Sequence, residues 1–133
     1  MPGSRPVDTF TRMVGVLTVD DQAVFRAVAQ EVIDATPGFE AAGEAASGLE
    51  ALEMIRDTGA RLALVDVRMP GMNGVETARR LRAADPELVV VLISMEDEGD
   101  LPSGVSECGA ATLARKRDFG PALLRHLWAV HGR

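Results

Sequence analysis

Acidic, hydroxyl and basic side chains stand at the ends of short apolar runs in this sequence. The adjacent pair Asp20-Asp21 follows the first run, Asp66 and Ser94 lie at the ends of two later ones, and Lys116 follows the last. Carboxylates about 4 Å apart repel by about 4 kcal/mol per pair at a surface-like dielectric, a cost that a divalent cation removes. All-oxygen ligands favour Mg²⁺ or Mn²⁺ over zinc. An aspartate between such a cation and a lysine is well placed to attack phosphorus.

The elements that must position these side chains follow from the spacing of the runs. Non-alternating apolar runs of this length are typical of strands covered on both faces, and amphipathic segments separate them. The runs are 13–19, 39–46, 62–67, 88–94 and 111–115, and counted from positions 14, 39, 62, 88 and 111 they recur at intervals of 25, 23, 26 and 23 residues. Five βα units in series predict an α/β fold with a doubly wound, five-stranded parallel sheet and five helices. Ligands of such sheets bind at the carboxyl ends of the strands.

The predicted fourth helix, over residues 100–108, is the weakest element. Pro102, Ser103 and Gly104 lie inside it, and glycine alone costs a helix about 1 kcal/mol relative to alanine. The other helices have regular apolar spacing and recognisable ends. Ser47 and Glu50, for example, have the spacing of a capping box.

Each chemically active side chain also has an ordinary structural explanation. An acidic pair before a helix is most often an N-cap, and Asp66 could be a turn residue before the Pro-Gly-Asn-rich loop. Ser94 could cap a strand, and Lys116 could be a solvated charge. Together these explanations are less convincing than each is alone, because all of these residues would have to lie at the same edge of one sheet by coincidence.

Length and composition limit the class of protein. The 133 residues suit one domain, which we place at residues 13–133 after a flexible leader over residues 1–12. A single cysteine excludes a disulfide framework and multi-cysteine metal sites. The net charge of −6 argues against a nucleic-acid partner, and the apolar runs are too short to span a membrane. The leader lacks the apolar region of a secretion signal, so we expect a cytoplasmic protein.

The sequence resembles the receiver domains of two-component response regulators. The resemblance covers about residues 13–131. It rests on Asp20-Asp21, the stretch from Asp66 to Gly74 that reads DVRMPGMNG, Ser94, and Lys116 after Gly109-Ala110. The fold implied is flavodoxin-like, with strand order 2-1-3-4-5.

The resemblance implies a role for each of these residues. Asp66 would accept a phosphoryl group from a phosphohistidine on a sensor histidine kinase or phosphotransfer protein. Mg²⁺ (or Mn²⁺) would be held by Asp20, Asp21, Asp66 and the backbone carbonyl of Arg68.

Two further residues complete the implied site. Ser94 would hydrogen-bond a phosphoryl oxygen and move toward it on activation, and Lys116 would pair with the phosphoryl charge. Arg68 and Glu96 lie two residues past the phosphoacceptor and the hydroxyl residue, and we predict that they pair and modulate the lifetime of the acyl phosphate.

The function implied is a stand-alone, phosphorylation-activated switch and not an enzyme acting on an external substrate. Its output would be contact with an unknown downstream protein, or a homodimer through the face formed by the fourth helix, fifth strand and fifth helix. Two alternatives stay open. One is a pseudo-receiver, a binding module that is never phosphorylated, and the other is a small Mg²⁺-dependent phosphatase.

Two departures from the family pattern concern how activation spreads. Arg117 stands where many receivers have a proline, and Leu113 replaces the aromatic residue that commonly reorients in strand five. We therefore hypothesise that switching orders the segment Gly99–Gly104 instead of turning an aromatic ring.

Overall fold

A computed structural model of the protein describes residues 12–95 and 101–132. The predicted leader lies outside the described residues except for Arg12. Five strands and four α-helices are found in the described part of the chain. In chain order they are β1 (Val14–Val19), α1 (Ala23–Asp34), β2 (Phe39–Ala45), α2 (Gly48–Thr58), β3 (Leu62–Asp66), α3 (Gly74–Ala84), β4 (Val89–Ser94), β5 (Thr112–Arg115) and α4 (Pro121–His131).

The five strands form one parallel sheet in the order β2-β1-β3-β4-β5, which confirms the predicted fold class. Every residue of β1, β3 and β4 is buried. The sheet separates two apolar cores, one against α2 and α3 and the other against α1 and α4. Strands covered on both faces need apolar residues at consecutive positions, which is why their runs did not alternate in the sequence.

Local signals in the sequence set the ends of the helices. The Ser47 hydroxyl accepts a hydrogen bond from the Glu50 amide at 3.1 Å, and the Glu50 carboxylate accepts one from the Ala46 amide at 2.9 Å. Gly59 ends α2 with a φ of +68°, a conformation that glycine adopts without steric cost. The predicted capping box therefore forms, with its second bond one residue earlier than in the usual arrangement.

The predicted fourth of five helices is wrong over the residues that can be described. Residues 101–111 contain only turns, bends and irregular backbone, and β5 begins at Thr112. Pro102 cannot donate a helical backbone hydrogen bond, and Gly104 adopts a φ of +89°, outside the right-handed helical region. The hypothesised switch segment Gly99–Gly104 lies partly outside the described residues.

No helix among the described residues is long and apolar enough to cross a membrane. The longest, α1, has 12 residues, whereas a membrane-spanning helix needs about 20.

The loop after β3 returns close to its own starting point, and this return supports Asp66. The Gly74 amide donates to the Val67 carbonyl at 2.8 Å. A Cβ atom at position 74 would overlap the Asp66 carbonyl oxygen and lie 2.7 Å from the Val67 Cα. The absent side chain of Gly74 is therefore what lets the loop close beneath Asp66.

We expect Gly74→Ala to lower the free energy of unfolding by about 1–3 kcal/mol or more, because the overlap is with backbone that cannot rotate away. Urea denaturation measures the change. Gly120→Ala is the matched control, since a Cβ there meets nothing within 4 Å. Equal stability of the two variants would contradict the close approach of the loop.

Candidate functional site

The chemically active side chains lie where neighbouring strands end. Asp20 directly follows β1, Asp66 is the last residue of β3, and Ser94 is the last residue of β4. Lys116 begins a short 3₁₀ turn, Lys116–Asp118, directly after β5. Because all five strands are parallel, these positions share one edge of the sheet, as predicted from the sequence.

Three carboxylates meet at this edge. Oxygen atoms of Asp20, Asp21 and Asp66 all lie within 4.8 Å of one another. Asp20 is fully buried, Asp66 is 6% exposed, and Asp21 faces solvent. The cluster therefore has two carboxylates removed from water and one at its open side.

The Lys116 ammonium supplies the opposite charge. Its Nζ lies 2.6 Å from Asp20 Oδ2 and 3.5 Å from Asp66 Oδ2, and its side chain is only 5% exposed. Nζ also lies 4.8 Å from the centre of the Phe25 ring, within the range of a cation–π contact. The lysine is thus confined between an aromatic ring and two carboxylates, and it lies closer to Asp20.

Asp66 is held in an environment that opposes its ionisation. Burial, followed by the neighbouring Asp20 carboxylate, raises the pKa of Asp66 from its ordinary value of 3.8 to about 6. The Lys116 charge and a hydrogen bond from the Arg68 backbone amide oppose this shift. One lysine does not compensate three clustered carboxylates, so the site favours additional positive charge.

The donor set fits a hard divalent cation such as Mg²⁺. All three groups offer carboxylate oxygens, the ligands that Mg²⁺ prefers, and the exposed Asp21 side leaves room for water ligands. Asp20 Oδ2 is buried, and the Lys116 ammonium 2.6 Å away is its ion-pair partner. A carboxylate oxygen has more than one lone pair, so a cation can share this oxygen with Lys116.

The remaining predicted residues differ in how far the structure places them. Ser94 is buried at the end of β4, one position beyond Ile93, which pairs with Asp66 across the sheet. Arg68 has an exposed side chain, and its backbone amide donates a hydrogen bond to the Asp66 carboxylate. Glu96 lies outside the described residues, so its pairing with Arg68 stays a prediction. That the Arg68 backbone carbonyl binds the divalent cation also stays a prediction.

Sequence reasoning missed two residues that contact the site. The Phe25 ring lies on the buried face of α1 and packs beside the Lys116 ammonium and the Phe119 ring, whose centre is 6.1 Å away. The Arg26 guanidinium donates a hydrogen bond to the Asp20 backbone carbonyl. A cation six residues after an aspartate has no distinctive spacing, so only the three-dimensional structure reveals this contact.

Comparisons with known proteins identify the family of the chain. The family profile described as response regulator receiver domain matches residues 16–127. Among curated proteins, the chain is similar to the response regulator UvrY of Escherichia coli K12, with 30% identity over 99 residues, covering 74% of this chain and 45% of that protein.

Two further similarities extend this result. A protein-glutamate methylesterase/protein-glutamine glutaminase of Pyrococcus horikoshii is 36% identical over 88 residues, which cover 66% of this chain and 24% of that protein. The chain thus spans less than half the length of either curated relative. Among solved structures, the signal receiver domain of the putative response regulator NarL from Mycobacterium tuberculosis has a TM-score of 0.79 and 30% identity, covering 90% of this chain and 96% of that one.

The raised pKa of Asp66 predicts a pH-dependent effect of Asp66→Asn on stability. The folded protein retains a proton between pH 3.8 and about 6 that the unfolded chain has lost, so ionisation above pH 6 destabilises the fold. Without metal at pH 8, Asp66→Asn is expected to be the more stable protein, by up to about 3 kcal/mol. The difference is expected to vanish near pH 4, where Asp66 is protonated.

Thermal unfolding in EDTA at the two pH values measures this difference. Asp57→Asn, at an exposed aspartate of α2, is the matched control for replacing a carboxylate by an amide. An Asp66→Asn variant that is less stable than the parent at pH 8 would show that the carboxylate stabilises the apo protein, contrary to the expectation.

Proposed function

The chain belongs to the response regulator receiver domain family, and on that premise we propose that it is a phosphorylation-activated switch whose phosphoacceptor is Asp66. The observation that supports this most strongly is the cluster of three carboxylates within 4.8 Å, with Lys116 3.5 Å from Asp66. The phosphoryl donor we propose is a phosphohistidine on a sensor histidine kinase or phosphotransfer protein.

Asp66 is the carboxylate best suited to attack phosphorus. It ends the central strand β3, lies within 4.8 Å of the other two carboxylates and 3.5 Å from the Lys116 ammonium, and is supported by the loop that closes at Gly74. Its oxygen forms a bond to phosphorus as the bond from phosphorus to the histidine nitrogen breaks, which leaves an acyl phosphate on Asp66 and a free imidazole on the donor. Fixed position and neighbouring positive charge are the main contributions that proteins make to phosphoryl transfer.

Asp20, Asp21 and Asp66 would hold Mg²⁺, which when bound supplies positive charge for the carboxylates and for the phosphoryl oxygens. Lys116 would supply a second charge by exchanging its contact with Asp20 for one with the phosphoryl group. Its position between Asp20 and Asp66 supports this role because only a small displacement separates the two partners. Ser94 would donate its hydroxyl hydrogen to a phosphoryl oxygen from the end of the adjacent strand.

The output surface we propose is the face formed by the 101–110 segment, β5 and α4. β5 is an edge strand of the sheet, and none of its four residues is buried. A groove of about 370 Å³ runs between this strand and α4. A downstream protein or a second copy of the chain would bind here in response to phosphorylation. We expect the protein and this binding step to be cytoplasmic.

Receiver domains are generally switches and not enzymes acting on external substrates. The Pyrococcus relative is named as an esterase, but this chain covers only 24% of it. We therefore propose that phosphoryl transfer to Asp66 and its later hydrolysis are the only reactions of this domain.

Incubation with acetyl phosphate and Mg²⁺ followed by intact-protein mass spectrometry tests the function. We expect a single phosphoryl adduct that is lost on addition of base or in Asp66→Asn, and that forms normally in the control Asp57→Asn. Absence of any adduct on the parent would instead support a pseudo-receiver. Repeated turnover of small phosphoesters would support a phosphatase.

A second prediction concerns the lifetime of the adduct. Arg68 is exposed beside the phosphoacceptor, and we propose that it pairs with Glu96 and modulates hydrolysis of the acyl phosphate. Arg68→Ala is expected to change the dephosphorylation rate several-fold, whereas Arg80→Ala, on the exposed face of α3, should leave it unchanged. Equal rates for Arg68→Ala and the parent would contradict the modulating role.

A further inference from the structure

Every polar group of Asp20 has an assigned neighbour, and together these fix its orientation. Its backbone amide donates to the Ala45 carbonyl at 3.0 Å, and its Oδ1 accepts from the Gln22 amide at 2.8 Å. Its backbone carbonyl accepts from Arg26 Nη1 at 2.7 Å. The remaining atom, Oδ2, is the one that lies beside Lys116. The Asp20 carboxylate is therefore oriented by the Gln22 amide of the following turn. The peptide that follows Asp20 is oriented by Arg26.

The contact with Arg26 also bears on Asp21. The Asp20 carbonyl belongs to the planar peptide that joins Asp20 to Asp21, so holding this oxygen sets the direction in which the chain leaves toward Asp21. Asp21 faces solvent and is not held in place by burial. A fixed peptide plane therefore helps to place the exposed carboxylate of the cluster.

Arg26 is itself held in place by a second bond. Its Nε lies 2.8 Å from the Glu44 Oε1, near the end of β2, and its side chain is 18% exposed. A guanidinium group is planar and its donors are fixed relative to one another, so two bonds on different nitrogens define its orientation. A lysine ammonium, whose donors rotate freely, would not be oriented in this way. Arg26 thus links α1 to the ends of β1 and β2.

We propose that Arg26, oriented by Glu44, is a positioning residue for the acidic pair Asp20-Asp21. It fixes the peptide between the two carboxylates and adds positive charge beside them without contacting the reacting atoms. The inference rests on the proposed function, since it concerns the same cation site. Residues that orient metal ligands typically change metal affinity 10- to 100-fold when removed.

Metal affinity distinguishes this role from a purely structural one. Mn²⁺ binding, followed by the electron paramagnetic resonance signal of the free ion, reports on the site without any reaction. For Arg26→Ala we expect about tenfold weaker Mn²⁺ binding. The Mg²⁺ concentration for half-maximal phosphorylation by acetyl phosphate should rise by a similar factor, whereas the rate at saturating Mg²⁺ stays within about twofold of the parent.

Two other variants keep the test informative if Arg26→Ala folds poorly. Glu44→Ala leaves the guanidinium in place with one bond fewer and should weaken Mn²⁺ binding by a smaller factor, whereas Glu44→Gln retains an acceptor and should bind nearly as well as the parent. Arg80→Ala removes a comparable pair, Arg80 Nε to Glu76 Oε2 at 2.8 Å on the surface of α3, and should not change Mn²⁺ affinity.

Unchanged Mn²⁺ affinity in Arg26→Ala and Glu44→Ala, with a parent that binds Mn²⁺, would overturn the positioning role and leave the proposed function intact. A slower rate at saturating Mg²⁺ with unchanged affinity would overturn it as well. A parent that neither binds Mn²⁺ nor accepts a phosphoryl group would instead overturn the proposed function, and this inference with it.

Discussion

Repulsion among three carboxylates at one edge of the sheet is the constraint on which the rest of the site depends. Their oxygens lie within 4.8 Å of one another, and one buried lysine is the only compensating ammonium among the described residues of the cluster. The consequence is visible in the pKa of Asp66, which burial and Asp20 raise to about 6. Binding of further positive charge therefore stabilises such a site. This is the property that a cation-dependent phosphoacceptor needs.

The surrounding structure is what keeps the carboxylates from moving apart. β1 and β3 are adjacent and fully buried, so their ends cannot separate without disrupting both cores. Gly74 lets the loop after β3 close beneath Asp66, and Arg26 holds the peptide after Asp20. The unfavourable electrostatics are therefore maintained by hydrophobic packing and a few hydrogen bonds, a common arrangement at functional sites.

The sequence predicts those features that depend on periodicity or on strand ends. Apolar runs at regular intervals define the five strands, and parallel strands bring Asp20, Asp66 and Lys116 to one edge. The predicted fourth helix does not form over residues 101–108, because Pro102 cannot donate a helical hydrogen bond and Gly104 adopts a positive φ, two breaks that the sequence already made visible. The roles of Phe25 and Arg26 are invisible in the sequence, because each depends on which side chain happens to lie across a helix–sheet interface.

We propose that Asp66 faces a shared cation and phosphoryl site together with Asp20, Asp21 and Lys116. The most direct measurement is a crystal structure of the protein grown with Mg²⁺ and beryllofluoride, a mimic of the phosphoryl group. We predict a beryllofluoride group bonded to the Asp66 carboxylate, a cation bound by Asp20 and Asp21, and the Lys116 ammonium contacting a fluorine atom. A structure in which the Asp66 side chain points away from these three residues, or in which the cation and beryllofluoride bind elsewhere, would contradict it.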